Sequence, residues 1–246
     1  SKYGNSIDDI LIALNEKRER ISVLNDYDSY LQKLEQQLAK KEKELAQISD
    51  EVSEIRQRSA VKLVSEIKSA LNDLNFLDVQ FDMQFDRLPD YTANGIDAPE
   101  FLISTNPGEP LKPLGKVASG GELSRIMLGI KTIMAENDHI ESLIFDEIDS
   151  GISGRTAQMV SEKMNELGRN HQIICITHLP QIAAMADAHF LIEKAVENKS
   201  TVSRIRRLTD NDSVAELARM LGGAKITDTV MESAREMKAL AMEKKI

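Results

Sequence analysis

Two acidic residues and a histidine follow apolar runs in the middle of the chain, where their types and spacing suit chemistry on a phosphate. Asp146 and Glu147 end the run "SLIFDE", and His178 ends the next such run, "QIICITH". Carboxylates at the carboxyl end of a parallel strand lie where such sheets bind ligands. Asp146 would hold a hydrated Mg²⁺, Glu147 would polarise a water for attack on a phosphate, and His178 would reach a terminal phosphate. Taken singly, each residue also fits a structural role.

A run of small residues precedes a predicted helix upstream of the acid pair. Ser119, Gly120 and Gly121 open the stretch "SGGELSRIMLGIK". Small residues at a helix start leave backbone N–H groups open, and the helix dipole adds partial positive charge there. This stretch therefore indicates a phosphate-binding helix N-terminus, although a tight turn before a helix would explain the glycines equally well if they stood alone.

The elements that must position these residues alternate between helix and strand. We predict a helix over 120–136, the strand "SLIFDE", a helix over 153–168, the strand "QIICITH" and a short helix from about 180. Apolar strands without alternation, separated by helices, indicate a parallel sheet covered on both faces. The fold class is therefore α/β, with a parallel sheet, flanking helices and β-hairpins.

Two hairpins and two terminal helices flank this sheet. Residues 76–105 alternate apolar and polar side chains around an Asn94-Gly95 turn, which predicts a β-hairpin. The stretch "HFLIEKAVENKSTVSRIRRL" predicts another. The helix after it should begin with a capping box of Ser213 and Glu216 and stop at Gly222-Gly223.

A charge-rich segment precedes the α/β region and has the pattern of a helical arm. Its apolar residues keep heptad spacing, which favours a coiled coil over a helical bundle within a compact domain. They are Leu31, Leu34, Leu38, Leu45, Ile48, Val52 and Ile55. An earlier heptad seam is out of phase with this one, so we expect a helix break or a change of winding at 25–29. We predict an arm over 1–75, the second half of an antiparallel hairpin with its tip near 1–30, and an ATPase-like lobe over 76–246.

Composition limits the function. The 246 residues contain 31 basic and 40 acidic side chains, a net charge of −9, so any DNA contact must be local. The densest basic cluster, Arg204, Arg206 and Arg207, fits a solvated strand edge better than a DNA contact. A single cysteine, Cys175, in an apolar run indicates a buried reduced thiol. With no long apolar stretch and no signal-peptide core, the sequence predicts a cytoplasmic protein without a membrane partner.

The motifs resemble those of ABC-type ATPases. "ASGGEL" resembles their signature motif, "LIFDE" the Walker B motif, "IDSG" the D-loop and "ITH" the switch histidine, all in the expected order. A closer resemblance is to the RecN family, bacterial DNA repair proteins related to the structural-maintenance-of-chromosomes (SMC) proteins. It covers nearly everything from residue 76 onward, and the heptad arm agrees with the family's head-and-coil design.

The sequence lacks one part that the resemblance requires. No G-x-x-x-x-G-K-[ST] phosphate loop occurs in the 246 residues. In the family that loop lies in an N-terminal lobe, before the coiled coil. We therefore interpret the chain as the C-terminal lobe of an ABC-type ATPase head preceded by a long coiled-coil arm, a C-terminal half that is inactive alone.

The resemblance implies a mechanism in which two heads sandwich two ATP molecules. Ser119, Gly120, Gly121 and Glu122 would bind the phosphate held by the opposite head, and Asp149 would act as the D-loop residue at the nucleotide. Asp146, with Mg²⁺ bound through water, and the catalytic Glu147 and His178 would serve their own head's ATP. The implied partners are the N-terminal Walker A lobe, a second head in a homodimer, and DNA during double-strand break repair and recombination at the nucleoid. An ABC-transporter nucleotide-binding subunit and a non-catalytic coiled-coil interaction module remain alternatives.

Overall fold

The computed structural model describes residues 6–116, 119–135, 140–197, 200–223 and 225–245, and it divides the chain into two compact units. The first comprises the N-terminal segment to Arg58 together with Arg87–Ala98. The second comprises Ser59–Asp86 and Pro99 onward. The predicted division at 75/76 remains a prediction, since these units divide the chain elsewhere. None of the helices in the described ranges is both long and apolar enough to cross a membrane.

The elements follow the predicted order. The helices are α1 Ile7–Asp73, α2 Gly120–Met134, α3 Gly154–Leu167, α4 Pro180–Ala184, α5 Asp210–Gly222 and α6 Asp228–Glu243. The strands are β1 Gln80–Thr92, β2 Gly95–Ser104, β3 Lys112–Pro113, β4 Ser142–Phe145, β5 Gln172–Cys175, β6 Phe190–Glu197 and β7 Ser200–Arg207. They form three sheets, ordered β1-β2-β3, β4-β5 and β6-β7. Both predicted hairpins are present, the first with its turn at 93–94.

Helix α1 runs for 67 residues without interruption, so the break expected at 25–29 is wrong. That segment contains neither glycine nor proline, and the Ser29 hydroxyl donates to the Asp26 carbonyl inside the helix (2.9 Å). The change of heptad phase therefore shifts the apolar stripe without ending the helix. The helix ends at Asp73, and Asn75 in the turn after it adopts the left-handed conformation (φ 70°) that follows many helices. Leu31, Leu34 and Leu38 of the heptad stripe are exposed, and the coiled coil remains a prediction.

The last turns of α1 belong to the core of the second unit. Ile67 and Leu71 are fully buried with Phe81 of β1, Ile103 of β2 and Ile126 of α2. A neighbouring cluster joins α2, α3 and the β4-β5 sheet through Leu128, Phe145, Val160 and Leu167. A third cluster packs α4 against α5 and α6. The segment of α1 from Ser59 onward is thus part of the α/β lobe's own core.

The parallel β4-β5 sheet is covered on one face in the described part of the chain. Phe145 is buried, and Leu143, Ile173 and Cys175 pack beside it. On the opposite face Ile144 is 70% exposed, and its register partner Ile174 and the following Ile176 are exposed too. The prediction of a sheet covered on both faces is wrong for these residues, because nothing described packs over the three isoleucines.

The N-terminus of α5 also differs from the prediction. Thr209 caps this helix and accepts a hydrogen bond from the Asp212 backbone N–H (3.2 Å). Ser213, predicted as the cap, lies inside the helix, buried, with its hydroxyl 2.9 Å from His189 Nδ1. Thr209 and Asp212 therefore form the start of the helix that was predicted for Ser213 and Glu216. The stop at Gly223 is confirmed, with φ 64°.

Within the first unit, the buried carboxylate of Asp97, near the start of β2, connects the first hairpin to α1. Asp97, 1% exposed, accepts hydrogen bonds from the Ser53 hydroxyl (2.7 Å) and from Arg56 Nη1 (2.9 Å). These bonds, Ser53 first, hold the pKa of Asp97 below its usual range, while burial acts in the opposite direction. The Asp97 contacts are charge-assisted, which makes them stronger than neutral hydrogen bonds.

Asp97→Asn should destabilise the chain by about 1–2 kcal/mol at neutral pH, measured by urea unfolding, because it removes charge-assisted bonds to a buried group. A carboxyl with a depressed folded-state pKa stabilises fully above its unfolded pKa and loses that effect as the pH falls through the folded value. The difference between the two proteins should therefore stay constant from about pH 7 to pH 5 and shrink below about pH 4. Glu44→Gln, in the exposed Lys41–Glu44 pair of α1, is the control and should change stability by under about 0.5 kcal/mol. Equal effects of the two substitutions would contradict a special role for Asp97.

Candidate functional site

The parallel register of β4 and β5 brings the predicted acidic pair and histidine to one end of the sheet. Phe145 pairs with Cys175, and the Ile176 N–H donates to the Phe145 carbonyl (3.1 Å). The chain leaves β4 at Asp146 and continues beyond β5 to His178, so both segments emerge at the same edge. Asp146, Glu147 and His178 are all exposed there. This is the edge at which open α/β sheets bind ligands.

The backbone at Glu147 has an unusual conformation. Its φ is +55°, in the left-handed region that residues other than glycine rarely adopt. The Asp146 carboxylate accepts from the Glu147 N–H (2.9 Å), and the Ser150 N–H donates to the Glu147 carbonyl (3.0 Å). These bonds hold a tight turn that leaves the Glu147 side chain in solvent. Strained backbone of this kind clusters at functional sites.

The N-terminus of α2 lies directly against this turn. Ser119 caps the helix, its hydroxyl accepting from the Glu122 N–H (3.4 Å). A Cβ on Gly120 would lie 2.7 Å from Glu147 Oε2, and one on Gly121 would lie 2.8 Å from the Ser150 Cβ and 2.9 Å from the Glu147 carbonyl oxygen. Gly121 is required by a close approach, because its Cβ would meet the backbone of the chain's own 147–150 turn, whereas a Cβ on Gly120 would meet only the end of the flexible Glu147 side chain. Their phosphate contact remains a prediction.

Two residues that the sequence analysis missed fasten α2 to the turn. The Arg125 guanidinium is buried and donates to the carbonyls of Ile148 (3.2 Å) and Ser150 (2.9 Å). It also lies 5.6 Å from the centre of the Phe76 ring. Burial lowers the pKa of Arg125, an effect that the charge of Glu122 opposes. Ser124 donates its hydroxyl to the Asp146 carbonyl (2.9 Å). An arginine among the apolar residues of "LSRIML" was the signal that could have revealed this contact.

Asp149, predicted as a nucleotide contact of the D-loop, is buried beside the segment that follows β5. It is 4% exposed, and its Oδ2 accepts from the Thr177 hydroxyl (2.6 Å) and the His178 backbone N–H (2.8 Å). The same oxygen lies 3.0 Å from His178 Nδ1. The predicted D-loop residue therefore joins the turn after β4 to the segment after β5.

The remaining predicted features have simpler surroundings. Cys175 is half-buried, and burial, with the charges of Asp149 and Asp146, raises its thiol pKa to about 12, so the sulfur stays protonated. Arg206 faces Glu193 (3.6 Å) and Asp212 (3.9 Å), which fits a solvated strand edge.

No cluster of three or more His, Cys, Asp or Glu suited to a metal occurs in the ranges that the structure describes. The exposed Asp146 nevertheless supplies a hard oxygen donor of the kind that Mg²⁺ takes together with substrate phosphates.

The arrangement matches a known class of head domain. The Smc head domain with a coiled coil and joint from Pyrococcus yayanosii superposes with a TM-score of 0.57 over 86% of this chain and 38% of that one, at 19% identity. The fold is therefore that of part of an Smc head domain with its adjoining helix.

Sequence comparison narrows this class to one family. DNA repair protein RecN of Bacillus subtilis is 41% identical over 96% of this chain, and its counterpart in Halalkalibacterium halodurans is 40% identical over 98%. The chain belongs to the RecN family. It spans 44% and 43% of these two relatives, less than half their length, which fits a C-terminal half. No family model matches the chain.

Proposed function

We propose that this chain is the C-terminal half of a RecN-type ATPase head that hydrolyses ATP to drive the pairing and release of two heads. The observation that carries the proposal is the β4-β5 register, with the acid pair and the histidine at one sheet edge and the glycine-rich start of α2 packed against them. Such an edge suits phosphoryl chemistry, in which catalysis is mostly positioning and electrostatic stabilisation.

Each site residue has a distinct role in this proposal. Glu147 would orient and deprotonate the attacking water, and Asp146 would hold the Mg²⁺ of the nucleotide. Bound Mg²⁺ would neutralise charge on the ATP phosphates. His178 faces the terminal phosphate region of its own head. Ser119, Gly120, Gly121 and Glu122 present the capped start of α2 to the nucleotide of the opposite head.

The proposal includes a separate N-terminal lobe that carries the Walker A loop. The 246 residues contain no such loop, so the main phosphate cradle must come from elsewhere. The exposed face of Ile144, Ile174 and Ile176 supports this partner, because an apolar sheet face of this kind is normally covered. An ABC-transporter subunit would not explain the 67-residue helix that leads into the lobe.

We infer that DNA is the macromolecular partner of the whole protein. This rests on the relatives, which are named DNA repair proteins, and not on a basic surface of this chain, whose net charge is −9. The paired heads and their arms would hold DNA during double-strand break repair and recombination. The protein would bind DNA in the cytoplasm, at the nucleoid.

The chain alone should have negligible ATPase activity, because it lacks the lysine and hydroxyl of the phosphate loop. Adding the separately purified N-terminal lobe should restore turnover, measured as phosphate release. The matched control is an N-terminal lobe whose Walker A lysine is replaced by alanine, which should restore nothing. Robust turnover by the chain alone that Glu147→Gln abolishes, and that a contaminating ATPase therefore does not explain, would contradict the split site.

A further inference from the structure

We propose that Asp149 is the positioning residue of the switch histidine rather than a ligand of the nucleotide. This inference rests on the proposed function for its catalytic meaning, but the contacts that carry it do not. Asp149 is 4% exposed, whereas the His178 side chain is 74% exposed. The aspartate therefore lies behind the histidine, and only the histidine faces the open edge of the sheet.

The contacts of one carboxylate oxygen define this role. Asp149 Oδ2 accepts the Thr177 hydroxyl at 2.6 Å and the His178 N–H at 2.8 Å, and it lies 3.0 Å from His178 Nδ1. The Thr177 hydroxyl in turn accepts the Leu179 N–H (3.0 Å). One buried oxygen thus fixes the backbone of the turn after β5, and the His178 ring lies beside that oxygen. With only 4% of Asp149 exposed and its Oδ2 accepting two hydrogen bonds, the residue is placed to hold the turn and not to contact a nucleotide.

The position of Asp149 is itself fixed from the other side. Arg125 donates to the carbonyls of Ile148 and Ser150, the residues on either side of Asp149. The start of α2, the turn after β4 and the turn after β5 therefore form one hydrogen-bonded series. Because α2 begins with the proposed signature residues, this series links the part of the site that serves the opposite head to the histidine that serves its own.

The His178 ring lies on the solvent side of these contacts. Its side chain is 74% exposed, and its Nδ1 lies 3.0 Å from the buried Asp149 Oδ2. The segment that carries the ring is thus held from behind, so the imidazole is placed at the open edge of the sheet before a nucleotide arrives. Holding a reacting group in place in this way is the contribution of a positioning residue.

The first test is the protection of the His178 amide in this chain, measured by hydrogen exchange with NMR detection and without nucleotide. We expect slow exchange in the parent, because this N–H donates to a buried carboxylate. Asp149→Asn keeps an acceptor oxygen and should keep most of the protection, whereas Asp149→Ala should remove it. Asp187→Ala, at an exposed aspartate outside the cluster, is the control and should change nothing. Exchange of the His178 amide in the parent at the rate of an unprotected peptide overturns the proposal even if Asp149→Ala fails to fold.

The second test is ATP turnover by the chain reconstituted with a Walker A lobe. Asp149→Ala should lower kcat by up to about 100-fold, the effect of misplacing a catalytic group, and leave KM nearly unchanged. The double substitution with His178→Ala should be no slower than His178→Ala alone. Parent-level turnover by Asp149→Ala would overturn the positioning role while the proposed ATPase stands. If instead the parent reconstituted head has no turnover sensitive to Glu147→Gln, the proposed function fails, and the amide-exchange measurement still decides the role of Asp149.

Discussion

Glu147→Gln should slow ATP hydrolysis by the reconstituted head by at least about 100-fold, the usual loss when a general base is removed, while ATP binding persists. Glutamine has nearly the shape of glutamate but cannot take a proton from water. Shape matters at this position, because Glu147 Oε2 passes within 2.7 Å of the place where a Gly120 Cβ would stand. An isosteric substitution tests the proton transfer and leaves that packing intact. Single-turnover hydrolysis and equilibrium ATP binding measure the two properties separately.

The matched control for this substitution lies at the other end of the same strand. Glu141 is exposed immediately before β4, and Glu141→Gln removes the same charge from the lobe. It should leave hydrolysis at the parent rate. If Glu147→Gln hydrolyses ATP as fast as Glu141→Gln does, the base lies elsewhere.

Ser119→Arg should abolish ATP-driven pairing of heads without preventing ATP binding to a single head. The half-buried Ser119 precedes the N–H groups at the start of α2, where the proposal brings the opposite head's phosphate. A long side chain there excludes a ligand that must approach the backbone closely. The measurement is light scattering of reconstituted Glu147→Gln heads with and without ATP.

Ser119→Ala is the control that separates the effect of a bulky side chain from the effect of losing the helix cap. It removes the Ser119 cap, which costs about 1 kcal/mol of stability in typical helices, but adds no bulk. These heads should still pair with ATP, although less tightly. Pairing by Ser119→Arg heads at the level of Ser119→Ala would remove the signature from the dimer interface and leave Gly120 and Gly121 explained by packing against 147–150 alone.

The sequence was informative where a pattern repeats or a motif has a fixed order. Apolar runs ending in Asp146-Glu147 and Thr177-His178 predicted both strands and their shared edge, because parallel strands must emerge together. Alternation predicted the first hairpin, and the Asn94-Gly95 pair predicted its turn. These signals depend on residues that are neighbours in the sequence, so they can be recognised without knowledge of the tertiary contacts.

The sequence was uninformative about side chains whose positions depend on contacts between residues far apart in the chain. The sequence singled out Asp149 but not its partners, and only the fold places it against the 177–178 turn and Arg125 against the carbonyls of Ile148 and Ser150. Ser213 fits a capping pattern, yet it is buried beside His189 because Thr209 caps the helix first. The change of heptad phase at 25–29 suggested a break, but a helix without glycine or proline tolerates such a shift.

The left-handed backbone at Glu147 means that this position works against folding. A non-glycine residue held in such a conformation costs on the order of 1–3 kcal/mol, and a glycine would adopt it without that cost. Domains are stable by only about 5–15 kcal/mol, so the cost is a noticeable fraction of the total. The chain thus keeps a carboxylate at the one site of the turn where the most stable sequence would have no side chain. The conformation of this one residue therefore lowers the stability of the lobe and in return places a carboxylate at the reactive edge of the sheet.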